Sequence, residues 1–307
     1  MKRANEALQV CLSALLLLAF SNGCSVRKIA INKLGDAISG DSTTFASDND
    51  PELIRSAVPF SLKLIESLLA ESPRHRGLLL AAAKGFTQYS YAFIQQDGDE
   101  MEERDLATAD VLRHRARNLY MRARDYGMRG LELTHPDFTA ALRRDAKSAV
   151  TSCRQADVPF LYWTAAAWGA AVALSKDDPE TVADVPIVQA LIDRALELDE
   201  KFDLGAIHTF LISYESSRAE GKAEAANRAR RHFERAVELS GGRLAGPFVA
   251  LAESVSVSAQ NRAEFQSLLT QALAIDPNAR PEWRLANLVM QRRARWLLAR
   301  VNQFFVE

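Results

Sequence analysis

The chain has 307 residues, 48% of them hydrophobic, enough to bury a substantial core as one elongated domain or two compact ones, which argues against disorder. Its 38 Lys and Arg nearly balance 39 Asp and Glu, so no net field exists to hold a phosphate backbone, and nucleic acid is not an expected partner. Ala, Leu, Arg and Glu lose little rotamer freedom in a helix, and β-branched runs are short and scattered, so helix is favoured throughout.

At the N-terminus, Lys2 and Arg3 precede an apolar stretch from Ala7 to Phe20, followed by Ser21, Asn22, Gly23 and Cys24. This is the three-part plan of a secretory signal, and the apolar run is shorter than the ~20 residues that span a bilayer. A small residue followed at once by cysteine resembles the lipobox of bacterial lipoproteins, with Ser21 where that pattern usually has Leu. The resemblance implies cleavage after residue 23, acylation of Cys24, and, from Ser25 in place of Asp, sorting to the outer membrane. Two alternatives stay open: a retained membrane helix, and an ordinary cleaved signal that leaves a soluble periplasmic protein. A disulfide between Cys24 and Cys153 is the competing use of the cysteine, although a large helical core needs no staple.

Residues 24–50 read as the anchor cysteine, a short amphipathic helix carrying Val26, Ile29, Leu34 and Ile38, and a polar loop from Ser39 to Asp50. Asp50-Pro51-Glu52 then starts a helix with a capping oxygen, a proline whose missing N–H costs nothing in the first turn, and an acid at the positive dipole end. The oxygens of Asp48, Asn49 and Asp50 crowd together as a calcium loop would, but the following proline points to capping. Asp178-Pro179-Glu180 repeats this grammar, with related forms at Asp157-Val158-Pro159 and Asp184-Val185-Pro186, and nearly every proline can be placed at a helix start.

From residue 51 to 307 these stops delimit a single all-α domain. Asp193–Asp199, Glu234–Ser240 and Thr270–Asp276 share one pattern, with Ala195, Ala236 and Ala272 in register at intervals of about 41 and 36 residues, near the ~34 of a tetratricopeptide unit. Ala229, Phe233 and Ala236, then Phe265, Leu269, Ala272 and Pro277, follow that unit's second helix; Ile65, Leu68 and Pro73, and Met128, Leu131 and Pro136, are weaker copies. Trp283 falls where the first helix of a further repeat would place its aromatic. The expected fold is a tetratricopeptide-like αα-repeat superhelix with degenerate, irregularly spaced repeats, a spacing that warns of closure or distortion.

Chemistry is sparse. His75, His114, His135, His208 and His232 form no HExxH or close pair, and there is no CxxC, P-loop, GxSxG or dinucleotide fingerprint, so no metal, cofactor or catalytic residue is expected. Cys153 reads as a small buried hydrophobe rather than a nucleophile. Basic clusters at Arg113–Arg117, Arg228–Arg231 and Arg292–Arg295 read as solvated helix faces, or otherwise as contacts to headgroups or an acidic partner. The nearly uncharged segment Asp157–Ser175 reads as a helix buried all round. It is either a central core helix or one wall of an apolar cavity, lined by Trp163 and Trp168 with Tyr89, Phe93, Tyr120 and Tyr214. His208 joins that candidate ligand-binding set.

The stretches Ala46–Ile54, Glu66–Pro73, Asp157–Ala171 and Gly205–Tyr214 together resemble the T component of TRAP transporters, the TatT family. The resemblance covers nearly the whole chain after Cys24. It implies a periplasm-facing lipoprotein that pairs with the transporter's periplasmic solute-binding P component, forms a homo-oligomer and passes an apolar ligand through a central pore. The expected function is accordingly an accessory, non-enzymatic role in solute uptake. A general envelope scaffold that binds peptides or other proteins is the alternative, and a hydrolase with an unrecognised site is the third reading.

Overall fold

The computed structural model describes residues 31–40, 43–175, 177–215 and 221–305. The signal segment, Cys24, Ser25, Val26 and Ile29 lie outside the described residues. Among the described residues there is helix and no strand.

Helix α1 covers residues 31–39 and lays Ile31 and Ile38 on the core while Leu34 faces outward. The array proper begins with α2 (Pro51–Glu71), and Asp50 caps it as its position before Pro51 requires, accepting the Glu52 and Leu53 N–H groups. Asp178 does the same for α9 (Pro179–Val182). Pro59 departs from the rule for prolines: it sits inside α2, where it removes one backbone donor from the ladder.

The centre is a three-helix pack of α3 (Arg76–Tyr89), α5 (Leu106–Glu132) and α8 (Val158–Ala173). Its crossing is tight because α5 presents glycines. A Cβ on Gly130 would overlap the Phe160 ring, and one on Gly127 would overlap Thr164. Residues Phe160, Leu161, Ala165, Ala167 and Ala171 of α8 are fully buried, while Tyr162, Ala166 and Gly169 are partly buried and Ala173 is exposed, so the helix is a core helix but is not buried all round. Around this centre stand α4 (Gln96–Met101), α6 (Phe138–Arg144), α7 (Ala146–Val150) and α10 (Val185–Leu198).

A second apolar cluster forms from α12 (Lys222–Ser240), α13 (Gly246–Leu251), α14 (Arg262–Ala274), α15 (Arg284–Ala299) and α16 (Val301–Phe304). Helix α11 (Ala206–Tyr214) joins the two clusters, giving Ile207, Leu211 and Tyr214 to the first and Ile212 to the second. The in-register positions Ala195, Ala236 and Ala272 are all buried, as are Ala229, Phe265 and Leu269. Trp283 ends a short 3₁₀ turn that runs directly into α15, where it stands at the N-cap position, half-buried under the Arg280 guanidinium.

The C-terminal helices return to the N-terminal ones. The Leu285 N–H donates to Ala46 O at 2.9 Å and Arg284 Nη1 donates to Ser47 O at 2.7 Å, so residues 43–50 form the strap on which α15 seats. Tyr91 Oη reaches Met290 Sδ at 3.6 Å across the same contact. The array therefore closes on itself, as its uneven repeat spacing forewarned.

Candidate functional site

The seven candidate ligand-binding residues come from α3, the turn after it, α5, α8 and α11. Tyr89 and Phe93 stand one turn apart with ring centroids 5.7 Å from each other. Tyr120 donates to Gln95 Oε1 at 2.7 Å. On α8, Trp163 meets Tyr162 edge-on with Lys84 Nζ 5.9 Å from its ring centroid, whereas Trp168 donates from Nε1 to Asp184 under the Arg124 guanidinium. Tyr214 donates to Val185 O and stacks on Phe210. All seven are buried, and those with polar atoms mostly have protein partners. Two surface cavities are formed elsewhere. One of about 400 Å³ lies beside Arg243, Phe248 and Ile275, and one of about 590 Å³ lies between α7 and α10, with none of the seven in either wall.

The seventh residue, His208, has a partner the sequence hid. Its Nδ1 lies 2.9 Å from Nδ1 of His232 on α12, with Glu200 3.8 Å from its Nε2. Burial first, then the neighbouring His232, pushes the His208 pKa down to about 4.

The most extended polar feature is the seam where the array closes. Two π-helical turns face it, Ser90–Gln95 after α3 and Ala252–Ser256 after α13. Arg293 on α15 bridges Asp99 at 2.8 Å and Glu253, within the second π-turn, at 2.7 Å. Arg292 bridges Asp97 and Glu100, Arg55 also holds Asp97, and Arg300 holds Glu103. Burial works against the Arg293 charge, but Glu253, Tyr91 and Asp99 outweigh it and raise its pKa. Tyr91, in the first π-turn, is pushed up to about 12 by burial and then by Glu253. The basic clusters thus need correcting as solvated faces: Arg113, Arg117, Arg228, Arg230, Arg292 and Arg293 bind this chain's own polar side chains, Arg231 pairs with Glu224 at the surface, and Arg115 and Arg295 are exposed. Sequence shows charge at helical spacing but not which carboxylate lies opposite.

A third constellation was also illegible in sequence. His135 in the turn after α5, Cys153 after α7, and Asp157 at the start of α8 each offer one ligand atom, all within 4.8 Å of one another. Cys153 is 1% exposed, in keeping with the expectation of a buried thiol, and burial pushes its pKa up to about 11. Asp157 does not cap α8 with its side chain. It accepts the Arg154 N–H at 3.0 Å and faces His135 Nε2 at 2.9 Å. Burial opposes its charge, but Arg154 and His135 outweigh burial and hold its carboxyl below the usual range.

An array of helices closed by ion pairs, with aromatic residues packed inside it, defines an all-helical protein. The comparisons narrow the class: residues 47–305 match the TAtT family, the TRAP transporter T-component, and the chain belongs to that family. It is also similar to an uncharacterized protein of Treponema pallidum (strain Nichols), at 27% identity over 321 aligned residues covering 99% of both chains. An accessory role in a TRAP transport system, with the envelope location such a component has, follows from the family. No helix among the described residues is long and apolar enough to cross a membrane.

Proposed function

We propose that this chain is a periplasm-facing lipoprotein, anchored through acylated Cys24, that docks a periplasmic solute-binding protein and holds an apolar ligand of the transport system among its buried aromatic side chains. The observation that carries this reading is the family match over residues 47–305 on a closed helical array, together with the signal-and-cysteine pattern ahead of it. The N-terminal pattern supplies the mounting, since multiple acyl chains bind a membrane far more firmly than one. The array is tetratricopeptide-like in this reading and assembles as a homo-oligomer.

Crosslinked affinity purification of the full chain from its own membrane tests the docking. Recovery of a solute-binding protein is expected, and its absence at saturating crosslinker overturns the transport role. Recovery of outer-membrane assembly proteins in its place favours the peptide-binding scaffold instead. The anchor has a separate test. Cys24→Ser is expected to abolish incorporation of labelled fatty acid into the chain, and labelling that persists in this variant refutes acylation at this residue.

A further inference from the structure

We propose that His135, Cys153 and Asp157 form a site for a zinc-class transition-metal cation, a function independent of the docking role. The three residues come from three different turns around the N-terminus of α8, and the fold alone brings them together. Their ligand atoms already lie within 4.8 Å of one another, whereas a tetrahedral zinc would draw such atoms to about 3.3–3.8 Å apart, so closure takes shifts of about 1 Å. A thiolate, an imidazole nitrogen and a carboxylate oxygen suit a borderline cation such as Zn²⁺ and disfavour Ca²⁺ or Mg²⁺, which take oxygen ligands.

The surrounding hydrogen bonds orient these donors. His135 Nδ1 lies 3.3 Å from Ser152 Oγ, which also has Ala149 O as a partner at 3.0 Å. With the Ser152 hydroxyl donating to Ala149 O, its oxygen accepts the Nδ1 proton, and Nε2 turns a bare lone pair toward Asp157 Oδ2. Two lone-pair-bearing atoms 2.9 Å apart need a proton or a cation between them. A ring nitrogen held in one tautomer by its other N–H is how proteins fix a ligating histidine.

Asp157 keeps its second oxygen for Arg76 at 3.5 Å and Thr134 at 3.4 Å, so it is oriented as well. The charges also balance: Asp157 and the Cys153 thiolate neutralise a divalent cation, and Arg76 remains paired with the carboxylate. On coordination the sulfur–hydrogen bond of Cys153 is exchanged for a sulfur–metal bond and that proton passes to solvent. The proton held between His135 Nε2 and Asp157 Oδ2 likewise passes to solvent, and the Nδ1 proton stays donated to Ser152 Oγ. Exposed Thr151 and Ser152 immediately precede Cys153, and a cavity of about 590 Å³ reaches Val150, Thr151 and Arg194 beside it, so the site lies near the surface.

The test loads the full, metal-stripped chain with Co²⁺ and then displaces it with Zn²⁺. One equivalent of Co²⁺ is expected to give a thiolate-to-cobalt charge-transfer band with tetrahedral visible bands, abolished by Zn²⁺ and absent in Cys153→Ser. That variant keeps Cys11 and Cys24, so a band that persists in it belongs to those cysteines and overturns the assignment, as does cobalt uptake without a thiolate band. Ser152→Ala is expected to weaken Zn²⁺ binding by about 10- to 100-fold, the usual effect of losing a residue that orients a ligand. Should Cys153→Ser fail to fold, X-ray absorption of the zinc-loaded natural chain decides: one sulfur and one imidazole in the zinc shell upholds the site, and a shell without sulfur rejects it.

Discussion

Two single residues show how much depends on what lies opposite. Glycine inside a helix costs about 1 kcal/mol relative to alanine, so Gly130→Ala judged on α5 alone would stabilise the protein. The Phe160 ring occupies the space a Cβ needs, and overpacking of about 1–3 kcal/mol outweighs the propensity gain. Gly130→Ala is therefore expected to lower the denaturant midpoint, and a raised midpoint would refute the close crossing of α5 and α8. His208 gives a second expectation. Folded, it is held neutral with a pKa near 4 against an ordinary 6.5, by burial and His232, with Glu200 opposing and Arg235 assisting. The unfolded chain takes up the proton first as pH falls, so the stability tied to neutral His208 is complete above about pH 6.5 and is lost between there and about pH 4. Unfolding followed over that window should show a shallower loss in His208→Gln than in the natural chain. Equal slopes would mean that the pair does not shape the acid limit.

Among the elements, α14 and α15 show side chains doing what a glycine cap does elsewhere. Helix α14 runs into extended backbone at Ile275 and leaves late carbonyls without helix partners. Gln291 of α15, 4% exposed, donates from Nε2 to Ala272 O at 3.1 Å and Ile275 O at 2.7 Å. Asn287 on the same face accepts the Ala245 N–H and donates to Arg243 O, tying α15 to the start of α13. Replacing Gln291 with Leu fills a similar volume but strips those carbonyls, and is expected to cost about 1–3 kcal/mol by chemical denaturation. A neutral result would show that water replaces the amide. The asparagine-to-backbone bonds, the glutamine cap and the strap at Ala46 all converge on α15, adding polar ties to the apolar packing of Val289, Ala294 and Leu297.

Over the whole molecule, closure is decided at the seam. Arg293→Ala leaves Asp99 and Glu253 facing each other without their shared cation, and breaking a pair this enclosed is expected to cost about 3 kcal/mol. The readout specific to closure is hydrogen exchange. Amides of α15 and of the two π-turns should lose protection together while those of α8 keep theirs, and uniform loss would argue that the seam does not separate from the rest. The π-turns themselves, one wide turn in each half of the chain, place Tyr91 and Glu253 toward the same few residues. Wide turns of this kind often occur at functional sites, and here both lie where the ends of the array meet.

The helical class and the main helix starts were legible because they are local. Asp50 and Asp178 cap helices whose prolines announced them, the alanine register reported which faces are buried, and the uniform apolarity of Asp157–Ser175 placed α8 in the core. The family was legible too, from stretches spread along the chain, and the match over residues 47–305 agrees. Partnerships across long chain separations were not. Arg293 with Asp99, His208 with His232, and His135 with Cys153 and Asp157 have no spacing signature, since each pair is set by how helices cross and where the chain turns back. Helical periodicity assigns a side chain to a face; only the packing of that face against another decides whether an arginine meets water or a carboxylate, and whether a buried cysteine stands alone or beside two further ligands.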